Sequence, residues 1–181
     1  LSFNGNKMIT TSGGGALICR NPEEANEIMW YATQARDAYP YYQHTATGYN
    51  YRMSNVCAGI GRGQMTVLNS HIAHHKHVQK LYEELLADIP GIHIHKQPED
   101  PRFDGNFWLC ATTDCQPNDN VEALRVFMHG KKTETRPTWK PMHKQPVYAN
   151  APVYTNGIEE DLFKVGFCLP AGPYVSDDDV H

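Results

Sequence analysis

At 181 residues the chain is long enough for one ordinary domain with a real core, and 16 basic against 20 acidic side chains leave a formal net charge of −4. That balance, with no basic run longer than Lys131-Lys132, argues against nucleic acid and anionic membrane as partners. No apolar stretch reaches the roughly 18 to 20 residues that span a bilayer, and Leu1 to Lys7 is not a signal peptide, so a soluble protein is expected. The five cysteines, Cys19, Cys57, Cys110, Cys115 and Cys168, are odd in number and scattered, and they read as buried thiols of a reducing cytoplasm.

In chain order, the first fifteen residues set Lys7 between a short apolar start and a glycine-rich run, which puts its amine on a loop between two expected strands. Ala16-Leu-Ile-Cys19 has the texture of a buried strand. Asn21 as cap, Pro22 at the first position and Glu23-Glu24 in the first turn then predict a helix through about Ala35, packed through Ala25, Ile28, Met29, Ala32 and Ala35. Residues 36 to 48 carry Pro40, three tyrosines and no period, and read as a loop. Such a loop can line a ligand site or pack loosely on a neighbour.

From Ser54 a helix or helix pair runs to Pro90-Gly91, with Gly59, Gly61 and Gly63 inside it, where close approach of another helix or subunit is the natural explanation. Beyond Gly91 the texture becomes that of a small α/β domain. Ile92 to His95 alternates, Asn106 to Thr113 is a strand, Asn120 to Gly130 is a helix opened by Asn120, Thr133 to Arg136 is a short strand, and 166 to 170 adds another. Ser-Asp-Asp-Asp-Val-His at the end starts a last helix.

Two features carry chemistry. A lysine with a lowered pKa is a nucleophile toward carbonyls, and a Schiff base on such a lysine is how pyridoxal phosphate (PLP) is held; the competing reading of Lys7 is a solvated surface residue. His71, His74, His75 and His77 raise a metal hypothesis, since His71 and His75 stand at i, i+4 on a helix. No cysteine or carboxylate sits at ligand spacing, so a solvated face is expected there, with Ile72, Val78 and Leu81 as the buried stripe and no metal.

SFNGNKMITTSGGGAL, ATQARD, GYNYRMSN, RPTWKPMH and EEDLFKVGFCLPAG, in this order along nearly the whole chain, resemble the landmarks of the DegT-type (DegT/DnrJ/StrS) sugar aminotransferases, most of all those acting on UDP-linked 4-keto-6-deoxy-N-acetylhexosamines. The resemblance implies an α/β fold of the aspartate aminotransferase (type I PLP transferase) kind. Residues 1–53 would end the large PLP-binding domain, 54–90 would be a linking helix or helix pair, and 91–181 a small C-terminal α/β domain, so that the chain reads as the C-terminal half of an enzyme. It implies PLP as cofactor, with Lys7 as its Schiff-base lysine and proton carrier and Ser2 on its phosphate. Asn50 would reach the phosphate of the neighbouring subunit's PLP in a homodimer with shared sites, and Arg52, Trp139 and His143 would contact the nucleotide-sugar. Glutamate is the implied amino donor and surface glycan synthesis the implied role. A related dehydratase would carry histidine in place of Lys7. The alternative is a dimerisation or regulatory module of the same fold without catalysis.

Overall fold

Asn21, in extended backbone, accepts a hydrogen bond from the Glu24 N–H at 2.8 Å, and Pro22 opens α1 (Pro22–Ala32) with Glu23 and Glu24 at the positive end of the helix dipole. The computed structural model describes residues 1–115 and 121–181, and the chain divides into two compact units, Leu1–Ser70 and His71–His181. In the first unit α1 stops three residues short of the expected Ala35. The Thr33 hydroxyl turns back to donate to the Met29 carbonyl at 2.8 Å, and Gln34 and Ala35 adopt left-handed φ of 69° and 50°. No residue of α1 is buried, and Met29, on the expected packing face, is 51% exposed.

Ser54 caps α2 (Asn55–Met65) by accepting from the Cys57 N–H at 3.2 Å. After a break at Thr66-Val67, α3 (Leu68–Leu85) follows, so the long apolar pattern is a pair of helices. A side chain at Gly61 of α2 would stand 2.8 Å from the Thr11 methyl, whereas Gly59 and Gly63 face open space. The close approach is therefore to the chain's first segment. The strand expected at Ala16–Cys19 does not form: Gly15 makes an isolated bridge to Ser2 and Ala16 exchanges backbone hydrogen bonds with Leu1, but Leu17 to Cys19 belong to no strand, with Ile18 80% exposed. Apolar β-branched sequence makes a strand only where another strand accepts its ladder.

The second unit holds a four-stranded antiparallel sheet of β1 (Ile92–Ile94), β2 (Cys110–Asp114), β3 (Arg136–Pro137) and β4 (Gly166–Leu169), in the order β1-β2-β4-β3. The register sets Ile94 against Thr112, and Cys168 between Ala111 and Arg136. The core is built from Val78 and Tyr82 of α3, Cys110, Phe167 and Leu169 of the sheet, and Ala171 and Val175, with Leu124 and Met128 of α4 (Val121–Gly130) packed against it. Tyr82 donates its hydroxyl to the Pro170 carbonyl at 3.0 Å, and burial pushes its pKa up to about 12.

Several expectations shift here. The strand predicted from Asn106 is paired only from Cys110, because Phe107 takes φ 48° and the Trp108 N–H donates to the Asn106 side chain at 3.2 Å, a local turn that competes with the ladder. Asn120, the expected start of α4, lies outside the described residues. A helix that was not anticipated, α5 (Ile158–Val165), leads into β4, and α6 (Asp177–Val180) is closed by a capping box between Ser176 and Asp179. His75 is buried, not solvated: its Nδ1–H donates to the Phe107 carbonyl at 3.1 Å, and the inward face of α3 is His75, Val78, Gln79 and Tyr82. Of the cysteines only Cys110 and Cys168 are buried; burial pushes the Cys110 thiol up to about 12 and raises that of Cys168. Cys19 and Cys57 are half-buried and Cys115 is exposed.

Candidate active site

The first sixteen residues fold back on themselves. Phe3 N–H donates to the Gly14 carbonyl at 3.1 Å, Thr11 N–H to the Phe3 carbonyl at 2.9 Å, and Ala16 N–H to the Leu1 carbonyl at 3.1 Å. Lys7 sits in the turn so enclosed, half-buried, with its N–H on the Asn4 carbonyl at 3.1 Å. The base of the turn is fixed on α2 by the Thr10 N–H, which donates to Gln64 Oε1 at 3.2 Å, and by Thr11, which is 2% exposed. Ser2 is exposed on the same folded-back segment, so the two N-terminal candidates belong to one local structure. A turn pinned at its base limits the positions available to the side chain it carries.

A second construction uses residues 33 to 52. Bridges join Thr33 to Asn50 and Arg36 to His44, and the His44 Nδ1–H donates to the Gln34 carbonyl at 2.9 Å. At this neck a side chain on Gly48 would meet the Ala35 nitrogen at 2.5 Å, so only glycine lets the two strands of chain close up. Above it lies an open cavity of about 480 Å³ lined by Arg36, Asp37, Tyr39, Tyr42, Asn50 and Arg52, among others. The Arg36 guanidinium lies 4.3 Å from the centre of the Tyr42 ring, and Asn50 Oδ1 accepts from the Arg52 N–H at 3.3 Å. Asn50 and Arg52, chosen from sequence, thus share one cavity wall. Arg36 and Asp37 were not singled out, although they stand in the ATQARD landmark. The signal was the tyrosine-rich loop directly after them.

The remaining candidates lie in the second unit. Trp139 is 65% exposed. His143 is turned toward α5, with Nε2 at 2.9 Å from Glu160 Oε1 and Nδ1 at 3.8 Å from Glu159 Oε1, while Lys144 Nζ holds the other Glu160 oxygen at 2.8 Å. Lys144 first, then His143, keep the Glu160 carboxyl below the usual range. Among the described residues no group of three or more His, Cys, Asp or Glu side chains is placed to hold a metal ion, and no helix is long and apolar enough to cross a membrane.

All 181 residues match the model of the DegT/DnrJ/EryC1/StrS aminotransferase family. The chain belongs to that family. Within it the chain is similar to EpsN of Bacillus subtilis (strain 168), provisionally classed as a pyridoxal phosphate-dependent aminotransferase, at 37% identity over 98% of this chain and 46% of that protein. It is 30% identical to a GDP-perosamine synthase of Escherichia coli O157:H7 over 99% of this chain and 48% of that one. The chain therefore spans about half the length of the curated relatives it matches. Among solved structures, the aminotransferase TlmJ from Streptoalloteichus hindustanus superposes with a TM-score of 0.88 at 21% identity over 99% of this chain and 48% of that one. DesI, solved with its TDP-sugar product, gives 0.85 at 22% identity, over 99% and 45%. The fold is thus that of the type I PLP transferases, an α/β fold. DegT-family aminotransferases depend on PLP, and the N-terminal turn fits part of such a site: it supplies a primary amine on a rigid base and a serine hydroxyl on the same segment.

Proposed function

We propose that the protein carrying this chain transfers an amino group to a nucleotide-linked 4-keto-6-deoxy sugar, UDP-linked and with glutamate as donor, in the synthesis of a surface glycan. On this reading residues 1–53 end the large domain, 54–90 link the domains and 91–181 form the small one. The observation that carries it is the placement of Lys7 in a turn pinned at both ends within a chain that matches the family along its full length. PLP, when bound, supplies the electron sink for breaking the bond to hydrogen at the amine-bearing carbon.

The chain's own residues divide the remaining work. Lys7 Nζ anchors the cofactor covalently and, once released, takes and returns the proton at the reacting carbon. Ser2 donates its hydroxyl to the cofactor phosphate. Asn50 donates its amide to the phosphate in the neighbouring subunit of a homodimer, without altering the charge there. Arg52 pairs with the substrate diphosphate. Trp139 offers a face to the nucleotide-sugar, and His143 reaches it by exchanging a carboxylate partner on α5.

The test is to incubate the full-length protein with PLP, reduce it with borohydride and map the peptides by mass. Cofactor mass on the Lys7 peptide, with turnover of a UDP-linked 4-keto sugar by glutamate, is expected. Well-folded protein with Lys7 unmodified would overturn the reading. The 181 residues alone are expected to give no turnover, since they span about half of a family enzyme.

A further inference from the structure

One buried atom in the wall of the cavity above the Gly48 neck is out of place for a structural carboxylate. Asp37 lines that cavity, and its Oδ1 accepts from the Thr45 hydroxyl at 3.2 Å, but its Oδ2 is buried and has no hydrogen-bond partner. A carboxylate oxygen cut off from water and left unpaired is unfavourable, and native proteins keep such atoms where a ligand or a bound water completes them. Two guanidiniums, those of Arg36 and Arg52, line the same cavity, yet among the described residues neither makes an ion pair with Asp37. Arg36 is instead stacked over Tyr42. The backbone of Asp37 is held, since its N–H donates to the Gln43 carbonyl at 2.9 Å and its carbonyl accepts from the Tyr39 N–H at 2.9 Å, and the Thr45 hydroxyl holds the other carboxylate oxygen.

An acceptor kept apart from two cations in one open cavity suits a ligand that is both anionic and hydroxylated. The arginines take the anion, and the aspartate takes a hydroxyl donor a short distance away. We infer that Asp37 is a specificity residue of this cavity, its Oδ2 accepting a hydrogen bond from a hydroxyl of the nucleotide-sugar whose diphosphate lies on Arg36 and Arg52. The inference rests on the nucleotide-sugar reading given above and adds to it a residue and a contact. The hydroxyl belongs either to the ribose or to the hexose. A site that leaves a buried acceptor unpaired when the hydroxyl is missing rejects the ligand that lacks it.

The experiment uses the full-length protein and its D37N variant, with inhibition by UDP and by inorganic pyrophosphate measured beside KM and kcat for the UDP-keto-sugar. A rise of about ten- to a hundredfold in the UDP inhibition constant of D37N, with pyrophosphate unchanged or tighter, assigns the contact to the ribose. A rise of that size in KM alone, with UDP unchanged, assigns it to the hexose. In either case kcat stays within a few-fold, which a general loss of structure would not allow. If D37N does not fold, the wild-type protein decides: UDP or the UDP-sugar must bind at least tenfold more tightly than pyrophosphate. D37N that binds all three like the wild type overturns the inference, as does wild-type protein that does not distinguish them. Borohydride mapping of Lys7 in the same preparation separates this failure from failure of the aminotransferase reading.

Discussion

The two units solve the problem of holding a shape in different ways. In the second, side chains from α3, two strands and the segment after β4 bury one another, with Val78 and Cys110 fully enclosed and Phe167 3% exposed. In the first, only Thr11 and Ala35 are buried, and shape comes from backbone bridges, helix caps and a glycine neck, while Leu17, Ile18, Val56 and Tyr51 stand open. Burial supplies most of the free energy of a fold, whereas caps and isolated bridges contribute about 1 kcal/mol each. Stability and candidate chemistry are thus unevenly shared: Ser2, Lys7, Asn50 and Arg52 all lie in the unit with the least core.

This contrast can be broken experimentally. The largest effect is expected from Phe167→Ala, which opens a void in the packed core and should cost about 3–5 kcal/mol in denaturant unfolding of the second unit. A loss below 1 kcal/mol would mean that the core does not carry the fold. A smaller effect comes through His75. Burial lowers its pKa below the ordinary 6.5, so the unfolded chain binds the proton more readily. The stability this histidine contributes is present above about pH 6.5 and is lost as pH falls through the lowered folded value. His75→Gln should flatten that fall in a pH series of unfolding curves and change neutral-pH stability by only about 1–2 kcal/mol; an unchanged slope would contradict the burial. The smallest effect belongs to the first unit. Asn21→Ala removes the α1 cap and should cost about 1 kcal/mol, read as faster amide exchange over Pro22–Ala32 with the global transition unmoved.

What sequence revealed followed the range of the interactions involved. The α1 start was legible because Asn21, Pro22 and Glu24 act on one another within four residues. The start of the last helix at Ser176 was legible for the same reason. Ala16–Cys19 was misread because a strand exists only with a partner, and Asn106–Leu109 because a turn at Asn106 took hydrogen bonds that the ladder would have used. α5 went unnoticed despite Glu159, Glu160 and Asp161 in its first turn and Lys164 in its last, a charge pattern that favours a helix. His75 reads as solvated because the apolar stripe of Ile72, Val78 and Leu81 points to a different face of α3 from the one that His75, Val78, Gln79 and Tyr82 bury. In the candidate site, Asn50 and Arg52 were found as neighbours in one motif. Asp37 was missed because its significance depends on an unpaired oxygen, which only packing reveals.

The neck at Thr33, Gly48 and Asn50 has a consequence for how such a protein diversifies. Because the chain is stitched together below Arg36 and again at Asn50, the stretch between behaves as a cassette whose ends stay fixed whatever its length. Lengthening a surface loop costs little, about 0.6 kcal/mol for each doubling. Loops of other lengths and compositions can therefore be exchanged between Ala35 and Gly48 while the backbone on either side of the neck keeps its path.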